Sequence, residues 1–234
     1  MILALDTTGE YGSIALWLDG AMPLDGVMPL GAVMPHGAGA LDEMELHAPD
    51  GYAHVLYGYV AEILRRNGVK LADVRCFAAA SGPGSFTGVR VGLACIKGLA
   101  EAMGKPAVGV SNLQAIASFG TAPLRAVVTN ARRGDVYGAV YDASGRLVQR
   151  ETVAKLSAWL ERLPQGDVEI LSPDLECAGV VMNVVVKKTP RAIAGAVARL
   201  ACDSLVRGDA GDPAGLDANY VRRSDAELFW KDAG

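Results

Sequence analysis

Twice along this chain a short apolar segment runs into a polar turn and returns as a second apolar segment. The first instance is Ile2-Leu3-Ala4-Leu5-Asp6, a turn at Thr7-Thr8-Gly9, then Gly12–Leu18. The second is residues 125–130, a turn at Ala131–Gly134, then Val136–Tyr141. Each reads as a strand pair with a polar tip. Strand and helix patterns follow both. Residues 53–66 carry Val55, Leu56, Tyr59, Val60, Ile63 and Leu64 at helical spacing and end on Arg65-Arg66-Asn67-Gly68, a basic last turn before a C-cap glycine. Residues 74–80 read as a buried strand, and Thr87–Met103 as a helix with Val89, Val91, Leu93, Ile96 and Leu99 among its apolar positions. Ala107–Val110 reads as a strand, and Asn112–Phe119 as a helix with Ser111 as N-cap. Further helices are expected at Val153–Leu163 and Ala192–Val206, a strand at Val180–Val186 and an extended end at Asp217–Arg223. A unit that restarts in this way implies two α/β lobes, 1–104 and 105–234.

One stretch opposes the pattern. From Met22, a degenerate six-residue Met-Pro unit recurs at Met28 and Met34, and its Pro and Gly content disfavours both helix and central strand. A loop is expected there, with an edge strand near Met44–His47.

Composition narrows the function. Of 234 residues, 51% are apolar, enough for a core in each lobe, and the formal charge of −4 gives no broad basic surface for nucleic acid. Arg132-Arg133 and Arg222-Arg223 are small basic clusters that read as solvated surface pairs. The cysteines, Cys76, Cys95, Cys177 and Cys202, form no C-x-x-C pair. With no signal-like start and no membrane-length apolar run, a cytoplasmic protein with reduced thiols and no membrane contact is expected.

The densest motif is Gly82-Pro83-Gly84-Ser85-Phe86-Thr87-Gly88-Val89-Arg90-Val91-Gly92, between a strand and a helix. Gly82 and Gly84 permit a sharp turn, Ser85 and Thr87 offer hydroxyls, and the helix start gathers N–H groups. The residues leave two readings open: a cradle for a phosphate, or a tight turn with packing glycines. The motif lacks the Gly-Lys-Ser/Thr of a P-loop, and its glycine spacing is not that of a dinucleotide fold. Asp6, with Thr7 and Thr8, similarly reads either as an acid near phosphate or as a turn cap. His36, His47 and His54 offer no i, i+4 pair, so no metal site is expected.

These residues resemble the TsaB (YeaZ-like) family. The carriers are Ile2–Thr8 with Gly12–Trp17, the Gly82–Gly92 motif, Gly109-Val110-Ser111-Asn112-Leu113, Asn130-Ala131-Arg132-Arg133-Gly134-Asp135-Val136-Tyr137 against the family's Asp-Ala-Arg-x-Gly-Glu-Val-Tyr, and Tyr220-Val221-Arg222. The matches run in order along nearly the whole chain. Asn130 stands where the family has an acid, Tyr52 stands near the usual position of a histidine, and residues 164–190 match poorly.

The resemblance implies a two-lobed actin-like fold of the ribonuclease-H-like class, with mixed sheets flanked by helices. It implies a non-catalytic scaffold needed by the paralogue TsaD for threonylcarbamoyl transfer to adenosine 37 of tRNAs reading ANN codons. TsaE would be a third component, tRNA would be met only through the complex, and the chain alone would form a homodimer. Asp6, Thr7, Thr8, Gly82, Gly84, Ser85 and Thr87 would then be a vestigial phosphate or nucleotide site. No cofactor is expected on the chain alone, with ATP or ADP at the junction with partners. Val55, Leu56, Tyr59, Val89, Leu93 and Ile96 become candidates for the partner interface. The competing readings are an independent actin-like ATPase or kinase and, from the family's older label, a glycoprotease-like peptidase, for which the chain shows no His-Glu-x-x-His or nucleophile elbow.

Overall fold

The computed structural model describes residues 1–19, 39–174 and 186–222. The Met-Pro repeat, Cys177 and most of the Val180–Val186 segment lie outside them. The chain divides into two compact units. The first is Met1–Ser81, Thr87–Val110 and Ala192–Ala218, and the second comprises Gly82–Phe86, Ser111–Arg191 and the remainder from Asn219. The units therefore cross the 104/105 line taken from the sequence: the first keeps residues 107–110 and takes back a late helix.

The first unit holds β1 (Ile2–Asp6), β2 (Tyr11–Asp19), β3 (Gly39–His47), β4 (Cys76–Ala80) and β5 (Ala107–Val110), in the order β3-β2-β1-β4-β5. β1 to β3 are antiparallel; β1, β4 and β5 are parallel. Strand alternation separates two faces. Leu3, Leu5, Ile14, Leu16, Phe77 and Ala79 join one core with α1 (Leu56–Arg66) and α2 (Phe86–Met103). The opposite parity holds small residues at its middle (Ala4, Ala15, Ala78), flanked by Ile2 and Trp17, and α5 (Ala194–Arg207), itself lined by Ala194, Ala198 and Ala201, packs on β1, β2 and β4. Small side chains on both sides let this helix lie close. With both faces covered, every residue of β1 and β4 is buried.

The second unit repeats the plan. β6 (Leu124–Asn130), β7 (Asp135–Asp142), β8 (Leu147–Lys155), β9 (Val168–Ser172) and β10 (Val186–Lys188) run in the order β8-β7-β6-β9-β10. Position for position this matches the first sheet, with the same directions. α3 (Asn112–Ala117) packs on β6, β7 and β9, while α4 (Leu156–Leu160) lies against β7 and β8. Trp159 of α4 fills a core with Val128, Val136 and Val140, and it fits because Gly138 has no side chain: a Cβ there would lie 2.3 Å from the indole.

The sequence expectations differ from the structure in three places. The helix expected at Val153–Leu163 is a strand through Lys155 and then a single short helix, because Val136, Tyr137 and Gly138 pair with Ala154, Val153 and Thr152. β9 falls in a stretch with no expected strand. β3 is longer than the edge strand expected near Met44–His47, because Ala40, Leu41, Asp42 and Glu43 pair with Leu18, Trp17, Leu16 and Ala15 of β2, and Arg223 is beyond the described residues.

Candidate functional site

In the first unit, β1 delivers Asp6, Thr7 and Thr8 to its carboxyl end, and all three are buried. Asp6 Oδ1 accepts both the Thr8 N–H at 2.9 Å and the Thr8 hydroxyl at 2.7 Å. Burial pushes its carboxyl up to about 6, against the opposing effect of those two hydrogen bonds. Thr7 Oγ1 donates to the Gly88 carbonyl at 2.7 Å, and Gly92 makes room for it, since a Cβ there would sit 2.4 Å from that hydroxyl. The polar groups at the end of β1 are thus engaged by the chain itself.

Two further side chains serve α5, and neither was anticipated. Ser13 Oγ accepts the N–H groups of Ile193 at 3.0 Å and Ala194 at 2.8 Å. Glu43 Oε1 accepts the Gly195 N–H at 2.9 Å, and burial raises its carboxyl. A helix N-terminus that would otherwise hold an anion is filled by an internal carboxylate. No local sequence signal marks these caps, which lie about 150 to 180 positions away.

The motif is shared out between the units: Gly82–Phe86 belongs to the second, and Thr87 with the helix body to the first. Gly82 adopts a φ of 105°, open to glycine but not to other residues, and the Gly82–Pro83 peptide is cis. Its N–H donates to Asn112 Oδ1 at 2.9 Å, and its carbonyl accepts the Asn112 N–H at 2.8 Å. The loop is therefore tied to the start of α3. Gly84 and Thr87 are exposed and Ser85 half-buried, and Phe86 lies against Tyr220 with ring centroids 5.4 Å apart.

Behind this loop the second unit carries a hub that sequence reading missed. Glu151 of β8 accepts from the Ser111 hydroxyl, from Tyr141 OH at 2.6 Å and, on its other oxygen, from Asn219 Nδ2 at 2.6 Å. Burial and the neighbouring carboxylate push the Tyr141 phenol up. Ser111 is the expected N-cap of α3, accepting from Leu113 and Gln114 N–H, but its second role depends on β8.

The β6–β7 tip is built differently. Arg132 and Arg133 adopt φ of 62° and 54°, followed by Gly134 at 72°. Two successive non-glycine residues in the left-handed region cost roughly 1–2 kcal/mol each. Neighbours hold the tip in place. Asn130 Oδ1 accepts the Arg132 N–H at 2.7 Å, Lys155 Nζ donates to the Arg133 carbonyl at 3.2 Å, and Arg222 Nη1 donates to the Ala131 carbonyl at 2.9 Å. Asp135 pairs with Lys155 at 2.8 Å and Arg222 at 2.9 Å, and the hydrogen bond from Lys155 leads the effects holding its carboxyl low.

The expected partner-facing residues need correcting. Leu56, Val89, Leu93 and Ile96 are buried in the first unit's own core, and Val55 and Tyr59 are half-buried against it. The amphipathic spacing marked the inward face. Exposed positions are Tyr57, Gly58, Ala61, Arg65 and Arg66 on α1 and Phe86, Thr87, Arg90, Ala94, Gly98, Glu101 and Ala102 on α2.

Among the described residues, no group of three or more His, Cys, Asp and Glu is placed to hold a metal ion. His47 bonds Glu10 at 3.0 Å and stacks on Tyr11; His54 is exposed. No helix of the described residues is long and apolar enough to cross a membrane.

Residues 47–198 match the family described as TsaD: tRNA N6-adenosine threonylcarbamoyltransferase. The chain is 36% identical over 174 residues to the tRNA threonylcarbamoyladenosine biosynthesis protein TsaB of Escherichia coli, covering 70% of this chain and 66% of that protein. It is 35% identical over 104 residues to TsaB of Bacillus subtilis, covering 42% of this chain and 45% of the relative. These alignments thus span about two thirds and under half of the two relatives' lengths. A shorter stretch, 26% of this chain, is 48% identical to the tRNA N6-adenosine threonylcarbamoyltransferase of Agrobacterium fabrum, of which it covers 18%. Among solved structures, YeaZ from Pseudomonas aeruginosa superposes with a TM-score of 0.69 at 25% identity, covering 93% of this chain and 99% of that one. Motifs, paired sheets and relatives agree: the chain belongs to the TsaD family, in its TsaB (YeaZ-like) branch on the actin-like fold.

Proposed function

We propose that this chain is a non-catalytic scaffold in the formation of threonylcarbamoyladenosine on tRNA, needed by its paralogue TsaD for transfer to adenosine 37 of tRNAs reading ANN codons. The observation that carries this reading is the engaged state of the β1 end. Asp6, Thr7 and Thr8 are the residues an actin-like ATPase would turn toward phosphate, and here Asp6 accepts from Thr8 and Thr7 donates to the Gly88 carbonyl. The protein works in the cytoplasm, TsaE joins as a third component, and ATP or ADP is held at the junction with partners rather than by this chain alone.

Pairing with TsaD uses the outward side of α1 and α2. Gly58, Ala61, Ala94 and Gly98 let a partner helix approach closely, and the same surface self-pairs when TsaD is absent. Substituting Gly98→Arg tests this, because the position opens to solvent with nothing within 4 Å of an added Cβ. The variant is expected to remain folded and to lose both the homodimer and the TsaD complex in gel filtration.

The deciding experiment measures threonylcarbamoyl transfer from threonylcarbamoyl-adenylate to tRNA by this chain, by its TsaD and by both together. Transfer only with both is expected. Transfer by this chain alone, or equal transfer by TsaD without it, overturns the scaffold reading.

A further inference from the structure

Of the three cysteines among the described residues, none joined in a disulfide, two lie on the same side of the first sheet. Cys76 opens β4 beside Ile2 of β1 and is buried. Phe77 and Ala79 face the core shared with α1 and α2, so strand alternation turns Cys76, with Ala78, toward α5. Cys95 belongs to α2 and to that other core, and the sheet stands between it and Cys76.

The anchoring of α5 places Cys202 over the start of β4. The first N–H groups of the helix are held by Ser13 and Glu43, and Ser13 pairs with Asp6, at the far end of β1 from Ile2. From there the helix runs back along the sheet, packing on β2, β1, β4 and β5. Just past it, Gly211 bridges to Ala107, the residue that pairs with Phe77. Cys202 lies one turn beyond Ala198 and next to Ala201, and it is half-buried. At about 1.5 Å per helical residue and about 3.3 Å per strand residue, Ala194 to Cys202 spans about 12 Å and Asp6 to Ile2 about 13 Å. Cys202 has therefore reached the level of the Ile2–Cys76 pair. The thiols also feel each other electrostatically: burial pushes Cys76 up to about 11, and Cys202 adds to the rise while the amino terminus opposes it.

We propose that Cys76 and Cys202 form a reversible disulfide, a latch that fastens α5 to β4 when the protein meets a peroxide. The alanine-lined contact brings helix and strand backbones close, as a bond that tolerates only short Cα separations requires. Cys202, the more exposed, reacts first. Its sulfur attacks the peroxide, an S–O bond forms as the O–O bond breaks, and the departing hydroxide leaves with the thiol proton as water. Cys76 then attacks the sulfenic sulfur. The S–S bond forms, the S–O bond breaks, and the hydroxide released takes the Cys76 proton as a second water. Both sulfurs are oxidised and both peroxide oxygens reduced. A thiol reductant reverses the bond. The latch closes everything from β4 to α5 into one covalent loop, a constraint felt most strongly by an opened chain.

The test treats the full chain with hydrogen peroxide and maps its peptides without reductant. A linked pair of peptides carrying Cys76 and Cys202 is expected, with the mass of a disulfide, and dithiothreitol is expected to split it. Hydrogen exchange along α5 is expected to slow about tenfold in the oxidised chain and to recover on reduction. Cys95→Ser with Cys177→Ser is expected to keep both the link and the slowed exchange, and Cys202→Ser to remove both. Mapping of the unsubstituted chain decides the link whether or not a variant folds. Peroxide that carries Cys202 to a sulfinic acid with Cys76 still reduced overturns the inference, as does a link from Cys202 to Cys177. A bond that forms and leaves exchange along α5 unchanged overturns the latch. The scaffold reading stands or falls separately, on transfer to tRNA.

Discussion

The β1–β2 and β6–β7 hairpins hold equivalent places in their sheets and differ at their tips. At the first, Asp6, Thr7 and Thr8 turn inward and are hydrogen-bonded within the unit. At the second, Asn130 bonds the turn, and two arginines stand outward on left-handed backbone. At the first the polar side chains bond within the unit, while at the second charged side chains stand on strained backbone. A repeated strand plan therefore does not repeat a site. The ladder fixes where a tip is, and the few residues on the tip decide what it meets.

The largest effect is expected from Gly12→Ala. A Cβ there would sit 2.2 Å from the Asp6 carbonyl and 2.7 Å from Tyr52 OH, and backbone cannot yield as a side chain can. A loss of about 3 kcal/mol or more in urea unfolding is expected, concentrated in the first unit. A mild loss would mean that the first hairpin is looser than the second.

Next is Glu151→Ala, which leaves Ser111, Tyr141 and Asn219 without their acceptor. A cost of roughly 2–3 kcal/mol is expected, with faster hydrogen exchange at residues 219–222 and at the start of α3.

The pH dependence should separate the units by sign. Asp6 and Glu43 have raised pKa values in the folded state, so folding favours their protonated forms. Stability of the first unit is greatest below the unfolded carboxylate range, near 4, and falls as pH rises toward about 6. In the second unit the Ser144 hydroxyl leads the groups that lower Asp142 to about 2, and Lys155 leads those that lower Asp135. Their contribution is present above about 4 and is lost as pH falls below it. Trp17 and Trp159 report on one unit each, once Trp230 and the other tryptophan are replaced by Phe. Parallel pH profiles from the two reporters would break the comparison. Asp6→Asn, which keeps the acceptor oxygen for Thr8, should flatten the slope of the first unit and add roughly 2 kcal/mol near neutral pH.

The smallest effect is expected from Arg132→Asn with Arg133→Gly, which should raise the thermal midpoint by a few degrees, about 1–2 kcal/mol. No gain would mean that the neighbours of the tip already offset its strain.

Most of the fold was legible where signals are local. The hairpins, the buried runs of β1 and β4, the helical spacing of α1 and α2 and the Ser111 cap all lie within a few residues of their cause. What escaped depends on distant partners. Lys155 and Val153 look helical until β7 supplies a ladder, and the caps of α5 come from Ser13 and Glu43. The motif and the arginine pair could be located from sequence. Their state could not, because whether Thr7 is free or engaged depends on Gly88, and the strain at Arg132 depends on neighbours from β8 and the end of the chain. Leu56, Val89, Leu93 and Ile96 were taken for a partner face but lie in the core, because periodicity shows that a helix has an apolar side without saying what covers it.

The placement of α5 also sets an order of assembly. β1 and β2 leave the ribosome before the other strands of both sheets, yet the helix covering one of their faces is made after residue 193. The second unit's five strands are complete by Lys188. During synthesis the first unit's sheet waits half-covered while the second closes, and the carboxylate of Glu43 stays without its helix until Gly195 has emerged. A ribosome stalled before that point would expose the alanine-lined face of the first sheet, the surface on which a chaperone would be expected to act.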